Sequence, residues 1–106
     1  AFGTKAEDLI AATGPCICFD CFEVGIEIGR RFTEEFRSEE LVKPGRPGKA
    51  YVDIRGAIEI QLEECGILPQ NISAMPLCTF ERSDLFYSYR RDRTKTGAMV
   101  SVLKLI

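Results

Sequence analysis

Apolar residues recur every fourth position from Val24 through Ile28 and Phe32 to Phe36, and Arg30, Arg31, Glu34 and Glu35 fall mostly off that face. This is the pattern of an amphipathic helix. Just ahead of it, Asp20 and Glu23 have the spacing of a capping box, and Phe19 and Val24 that of a hydrophobic staple. Together they predict a helix over 21–36. Gly25 and Gly29 lie one turn apart within it, and each costs about 1 kcal/mol relative to alanine, so close approach of another backbone is expected at both. A second face, Ile54, Ile58, Leu62 and Cys65, runs from Asp53, a good N-cap, to Gly66, a good stop.

The remaining apolar runs are short. Leu9–Ile17 reads as a buried strand bent at Gly14-Pro15, after a turn or helix end over Thr4–Asp8. Tyr51-Val52 and Ile72–Met75 read as short strands, Phe86–Tyr89 alternates as a strand, and Met99–Ile106 is a final apolar strand after a turn over Asp92–Thr96. The run Lys43-Pro44-Gly45-Arg46-Pro47-Gly48 predicts a mobile loop near 38–49. This order of elements predicts one α/β unit (an α+β layered sandwich) over 1–106, with mixed sheets flanked by helices.

Composition narrows the function classes. With 14 basic and 16 acidic residues the net charge is −2, which gives no bulk field to draw nucleic acid. No apolar run approaches the roughly 20 residues that cross a bilayer. The five cysteines are an odd number, which argues against a disulfide scaffold and for reduced thiols in a cytoplasmic protein. No histidine is present, so the usual general base and commonest metal ligand are missing.

Two groups of residues carry candidate chemistry. Cys16, Cys18 and Cys21 form a C-x-C-x-x-C run of soft ligands. Structural metal sites normally add a second, distant pair, and Cys65 and Cys78 stand alone, so core packing is the favoured reading and no metal is assigned to this chain. Cys21 at the predicted helix start would feel the dipole, which favours a thiolate, but it has no histidine partner, and a structural role is the favoured reading. The second group is Tyr87-Ser88-Tyr89-Arg90-Arg91. Guanidinium forks suit phosphate or sugar hydroxyls, and a purine stacks on an aromatic ring. Arg90 is the strongest ligand candidate, with Ser88, Tyr89 and Arg91 around it. Pairing of the arginines with Asp84 or Asp92 at a solvated strand end is the plainer alternative.

Several of these segments, taken in order, resemble one family. Gly14-Pro15, Cys21-Phe22-Glu23-Val24-Gly25, Tyr51-Val52-Asp53-Ile54, Leu77-Cys78-Thr79 and Phe86-Tyr87-Ser88-Tyr89-Arg90-Arg91-Asp92 followed by Thr96-Gly97 are similar to the C-terminal part of the YfiH-like, or laccase-domain, proteins. Those were first described as polyphenol oxidases and later as purine nucleoside phosphorylases, with adenosine deaminase activity also attributed to them. Ile58, Arg93 and Ala98 stand where that family usually has Asn, Gly and Arg. The resemblance implies layered sheets flanked by helices, purine nucleoside and phosphate as ligands, and Ser88 and Arg90 near the pocket. It also implies a zinc (or copper) cofactor, the zinc being held by two histidines and a cysteine upstream of the matched region. None of that cofactor would be held by this chain alone. The chain would then be a C-terminal portion, an incomplete part of the family fold and inactive by itself, with the N-terminal part of the same protein as its partner. The rival expectation is a non-catalytic binding or oligomerisation module, whose exposed sheet edge recruits a partner or a second copy into a homo-oligomer.

Overall fold

Val52 has no exposed surface, and the architecture is laid out around the strand that carries it. The computed structural model describes residues 5–93 and 97–100. Strand β2 (Glu23–Gly25) pairs antiparallel with β4 (Lys49–Val52), which pairs antiparallel on its other edge with β3 (Val42–Pro44). Helix α1 (Ile26–Phe36) leaves β2 directly and lies against this sheet. Two further strands, β1 (Ala11–Thr13) and β5 (Ile72–Ala74), pair in parallel, with Ala11 opposite Ile72 and Thr13 opposite Ala74. Helix α2 (Ile54–Glu64) packs on β5 and on the 3-10 turn Glu39–Leu41. Among the described residues, Val24, Leu41, Ala50, Val52, Ala57 and Ile67 are the buried aliphatic ones. The expected α/β class with mixed sheets is the one observed.

The start of α1 departs from the sequence expectation. Residues 23–25 are strand, and the N-cap is Gly25, with no side-chain cap. Pairing with Tyr51, Ala50 and Lys49 buries Val24 and satisfies this backbone between strands; such tertiary pairing outweighs a local capping signal. Asp20 pairs instead with Lys43, whose ammonium also sits 4.5 Å from the Phe19 ring centroid. The segment read as a loop near 38–49 holds the Glu39–Leu41 turn and β3, leaving only residues 45–48 to turn the β3–β4 hairpin. Of the expected final strand Met99–Ile106, Met99 and Val100 are irregular, with Val100 84% exposed, and 101–106 lie outside the described residues, as do 94–96 of the predicted turn.

Helix α2 follows its sequence signals closely. The Asp53 carboxylate accepts from the Gly56 amide at 3.0 Å. Gly66 takes φ 98°, a left-handed conformation that ends the helix. Asp53→Ala is therefore expected to lower stability by about 0.5–2 kcal/mol, the usual loss for an N-cap. Asp20→Ala is expected to change little, because an exposed ion pair contributes little. Denaturant titration of both variants checks the order.

Candidate functional site

The segment from Cys78 to Arg93 is an irregular turn leading into a single helical turn. The Arg82 amide donates to the Cys78 carbonyl and the Phe86 amide to the Arg82 carbonyl. Tyr89–Asp92 then forms α3, with Ser88 as N-cap accepting from the Arg91 amide at 3.3 Å. The expected strand over Phe86–Tyr89 is thus replaced by a cap and a helical turn. Ser88 is 8% exposed, so its hydroxyl is used in the cap. Gly97 packs on Tyr87, where a Cβ would fall 2.7 Å from ring Cζ. Arg93 takes φ 56°, in the region that favours glycine, and it is one of the positions where the family pattern carries glycine.

The adjacent arginines do different work. Arg91 Nη1 donates to the carbonyls of Thr79 (2.9 Å) and Phe80 (3.0 Å), and Nη2 to that of Phe86 (2.9 Å). Nε and Nη2 also meet the Asp92 carboxylate at 2.9 and 2.7 Å. A guanidinium has five N–H donors, and these bonds use them all. The same bonds hold the Asp92 carboxyl below the usual carboxylate range. Arg90 is exposed and points elsewhere: Nη1 donates to the Glu23 carbonyl at 2.8 Å, and the guanidinium lies 4.9 Å from the Phe22 ring centroid. Its other donors bind nothing among the described residues. The Glu23 carboxylate is in turn forked by Arg46 at 2.5 and 3.1 Å. Tyr89 is 64% exposed.

Two hollows flank these elements. One of about 420 Å³ lies beside Arg91, lined by Ser83–Tyr87 and Asp92. The larger, about 620 Å³, sits between α1 and the β3–β4 hairpin and is lined by none of the candidate ligand residues Ser88, Tyr89, Arg90 and Arg91 and none of the cysteines. Its basic rim, Arg30, Lys43, Arg46 and Lys49, is partly neutralised by the pairs with Asp20 and Glu23.

Next to Arg91's loop the structure brings together Cys18, Cys21, Cys78 and Glu81, whose ligand atoms all lie within 4.8 Å of one another. An isolated bridge joins Cys16 to Cys78, and the Cys18 amide donates to Cys78 Sγ at 3.2 Å. Cys16 itself is not in the group. Cys21 is in a turn, well before α1, so the helix-start position that would favour a thiolate is not formed. Burial, then the hydrogen bond to Glu81, push its thiol up. Burial also raises Cys18. At Cys78 burial pulls upward too, but amide donors from Cys18, Glu81 and Phe80 outweigh it and hold the thiol below its usual value. Sequence reading left Cys78 alone and assigned no metal ligand. The missed signal is Cys78-x-x-Glu81, which repeats the spacing of Cys18-x-x-Cys21 with a carboxylate in the last place.

Comparison with known proteins identifies the family. The family model described as multi-copper polyphenol oxidoreductase laccase matches residues 1–106. A purine nucleoside phosphorylase of Synechocystis is 33% identical over 90% of this chain and 43% of its own length. An adenosine deaminase from an unknown prokaryotic organism is 35% identical over 90% of this chain and 39% of its own. The crystal structure of the Bacillus licheniformis hypothetical protein YfiH superposes with a TM-score of 0.78 and 26% identity, over 91% of this chain and 37% of that one. The chain thus spans about two fifths of the length of these relatives. It belongs to the laccase-domain, YfiH-like family.

Proposed function

We propose that this family member serves phosphorolysis of purine nucleosides and that Arg90 is its ligand-binding residue. The observation that carries the reading is the state of Arg90: one donor is fixed on the Glu23 carbonyl and the ring of Phe22 backs its plane, while the remaining donors meet no partner among the described residues and can take an oxyanion. In phosphorolysis a phosphate oxygen bonds to C1′ as the bond from C1′ to the purine nitrogen breaks. The products are the ribose 1-phosphate and the base, which takes up a proton. A guanidinium on the phosphate orients the nucleophile and offsets repulsion from its charge. Tyr89, exposed beside Arg90, offers a face for stacking. Arg91 and Ser88 act by shaping the loop and the helical turn that present Arg90.

The zinc that the resemblance implies does not fit this chain alone. Its set of two histidines and a cysteine has no histidine to draw on here. The whole activity therefore belongs to an assembly in which those ligands come from residues other than these 106. Five free cysteines support a reducing, cytoplasmic setting. The relative named as an adenosine deaminase supports a second activity on the same nucleoside.

The test uses the intact protein with adenosine and phosphate, following adenine and ribose 1-phosphate separately from inosine and ammonia. Arg90→Lys keeps the charge and loses the planar fork. Losing a hydrogen bond to a charged group costs roughly 1.5–3 kcal/mol, so kcat/KM for phosphorolysis should fall by about one to two powers of ten, with Tm little changed. Unchanged kinetics with a clear drop in Tm would make Arg90 a structural residue. Inosine without ribose 1-phosphate would move the assignment to deamination.

A further inference from the structure

We propose that Cys18, Cys21, Cys78 and Glu81 form a tetrahedral site for one thiophilic divalent cation, with zinc the occupant that suits it best. The first support is separation. Around zinc, sulfur at about 2.3 Å and carboxylate oxygen at about 2.0 Å stand about 3.5 Å apart on a tetrahedral edge. Glu81 Oε1 lies 3.2 Å from Cys21 Sγ and 3.7 Å from Cys18 Sγ.

The second support is backbone architecture. Two turns of the same form face each other. In one, the Phe22 amide donates to the Cys18 carbonyl at 3.1 Å, and in the other, the Arg82 amide donates to the Cys78 carbonyl at 3.0 Å. Each turn offers a cysteine and, three residues later, a second ligand. The amide of Thr79 on the Cys16 carbonyl (3.1 Å) and that of Cys18 on Cys78 Sγ (3.2 Å) fix the turns side by side. Amide-to-sulfur bonds spread thiolate charge, which a set of three thiolates and a carboxylate around a doubly charged cation requires.

The third support is the chemistry of the donor set. Three sulfurs and one carboxylate are soft enough to prefer zinc over magnesium or calcium, which take oxygen ligands. The Cys18 and Cys21 thiols both donate to Glu81. A cation takes the place of those protons: three thiol protons leave to solvent and four ligand–metal bonds form. The site would fasten the turn that carries Phe22 to the turn that Arg91 braces, and so fix the two surfaces that meet at Arg90. It uses no histidine, and it stands or falls independently of phosphorolysis, because metal binding is read without substrate.

The experiment titrates cobalt(II) into the intact, reduced, metal-stripped protein. Expected are thiolate-to-cobalt charge-transfer bands that saturate at one equivalent with the intensity of three thiolates, bleached by zinc. Glu81→Cys changes an exposed side chain and should raise the intensity to that of four thiolates. Glu81→Ala should weaken zinc binding by at least roughly tenfold, the smaller end of what loss of even an outer-shell partner does. A Cys18→Ser, Cys78→Ser variant should lose the bands. Absence of charge-transfer bands in the reduced protein overturns the proposal, as does a Glu81→Cys spectrum identical to the parent's. The second outcome decides the matter even where the double-serine variant fails to fold.

Discussion

Arg91→Ala is expected to destabilise the protein more than any other single truncation in the segment 78–93. Its guanidinium ties together three carbonyls, those of Thr79, Phe80 and Phe86, that have no regular secondary structure to satisfy them. Thr79 is buried, so its orphaned carbonyl would be without ready access to water, and an unmet buried acceptor is the costly case. Lysine has three donors on a flexible stem and no planar fork, so Arg91→Lys should recover only part of the loss. Denaturation midpoints give the ranking, and amide exchange should rise first between residues 79 and 86. The clamp also has a pH dependence. Because Arg91 lowers the Asp92 carboxyl in the folded protein, the stabilisation is complete above the ordinary carboxylate range and is lost as pH falls through Asp92's lowered folded-state value. Lost activity with an unchanged midpoint would instead make Arg91 a ligand contact.

The two arginines show how far the sequence could be read. Arg90 and Arg91 carry the same signal in a one-dimensional string, two forks beside aromatics. On a helical turn, neighbours point about 100° apart, so one is turned into the loop and the other out over Phe22. Nothing local distinguishes them, because the carbonyls that take up Arg91 and the ring that backs Arg90 belong to other segments. The thiol cluster was half legible for the same reason. Cys18-x-x-Cys21 is visible, but its partner pair lies 60 residues on and ends in Glu81, which a search for cysteines alone passes over.

The same division runs through the fold. Helix α2 was legible because both its ends are set by local chemistry, the Asp53 cap and the left-handed Gly66. Of the β3–β4 hairpin only Tyr51-Val52 was, because strands of three and four residues around a proline- and glycine-rich turn carry too little periodicity. The start of α1 misled because Glu23 fits a capping box with Asp20 and a strand pairing with Tyr51 equally well as text, and only the partner strand decides.

Gly29→Val is the sharpest test of how α1 is seated, and it is expected to cost about 1–3 kcal/mol, the range for overpacking a well-filled contact. The apolar stripe suggested that Ile28 faces the sheet, yet Ile28 is 45% exposed and Gly29 is buried. A Cβ on Gly29 would stand 3.0 Å from Ala50 Cβ and 3.2 Å from Val42 Cγ1. Two small residues, Gly29 and Ala50, therefore set the distance between helix and sheet. Alanine at 29 meets opposing effects, about 1 kcal/mol of helix propensity gained against that crowding. A branched side chain adds two methyls where none fits, and α1 must lift from β4. Urea midpoints should therefore fall further for Gly29→Val than for Ile28→Ser. The reverse order would mean that the helix is turned by one residue and that the stripe, not the glycine, is its buried face.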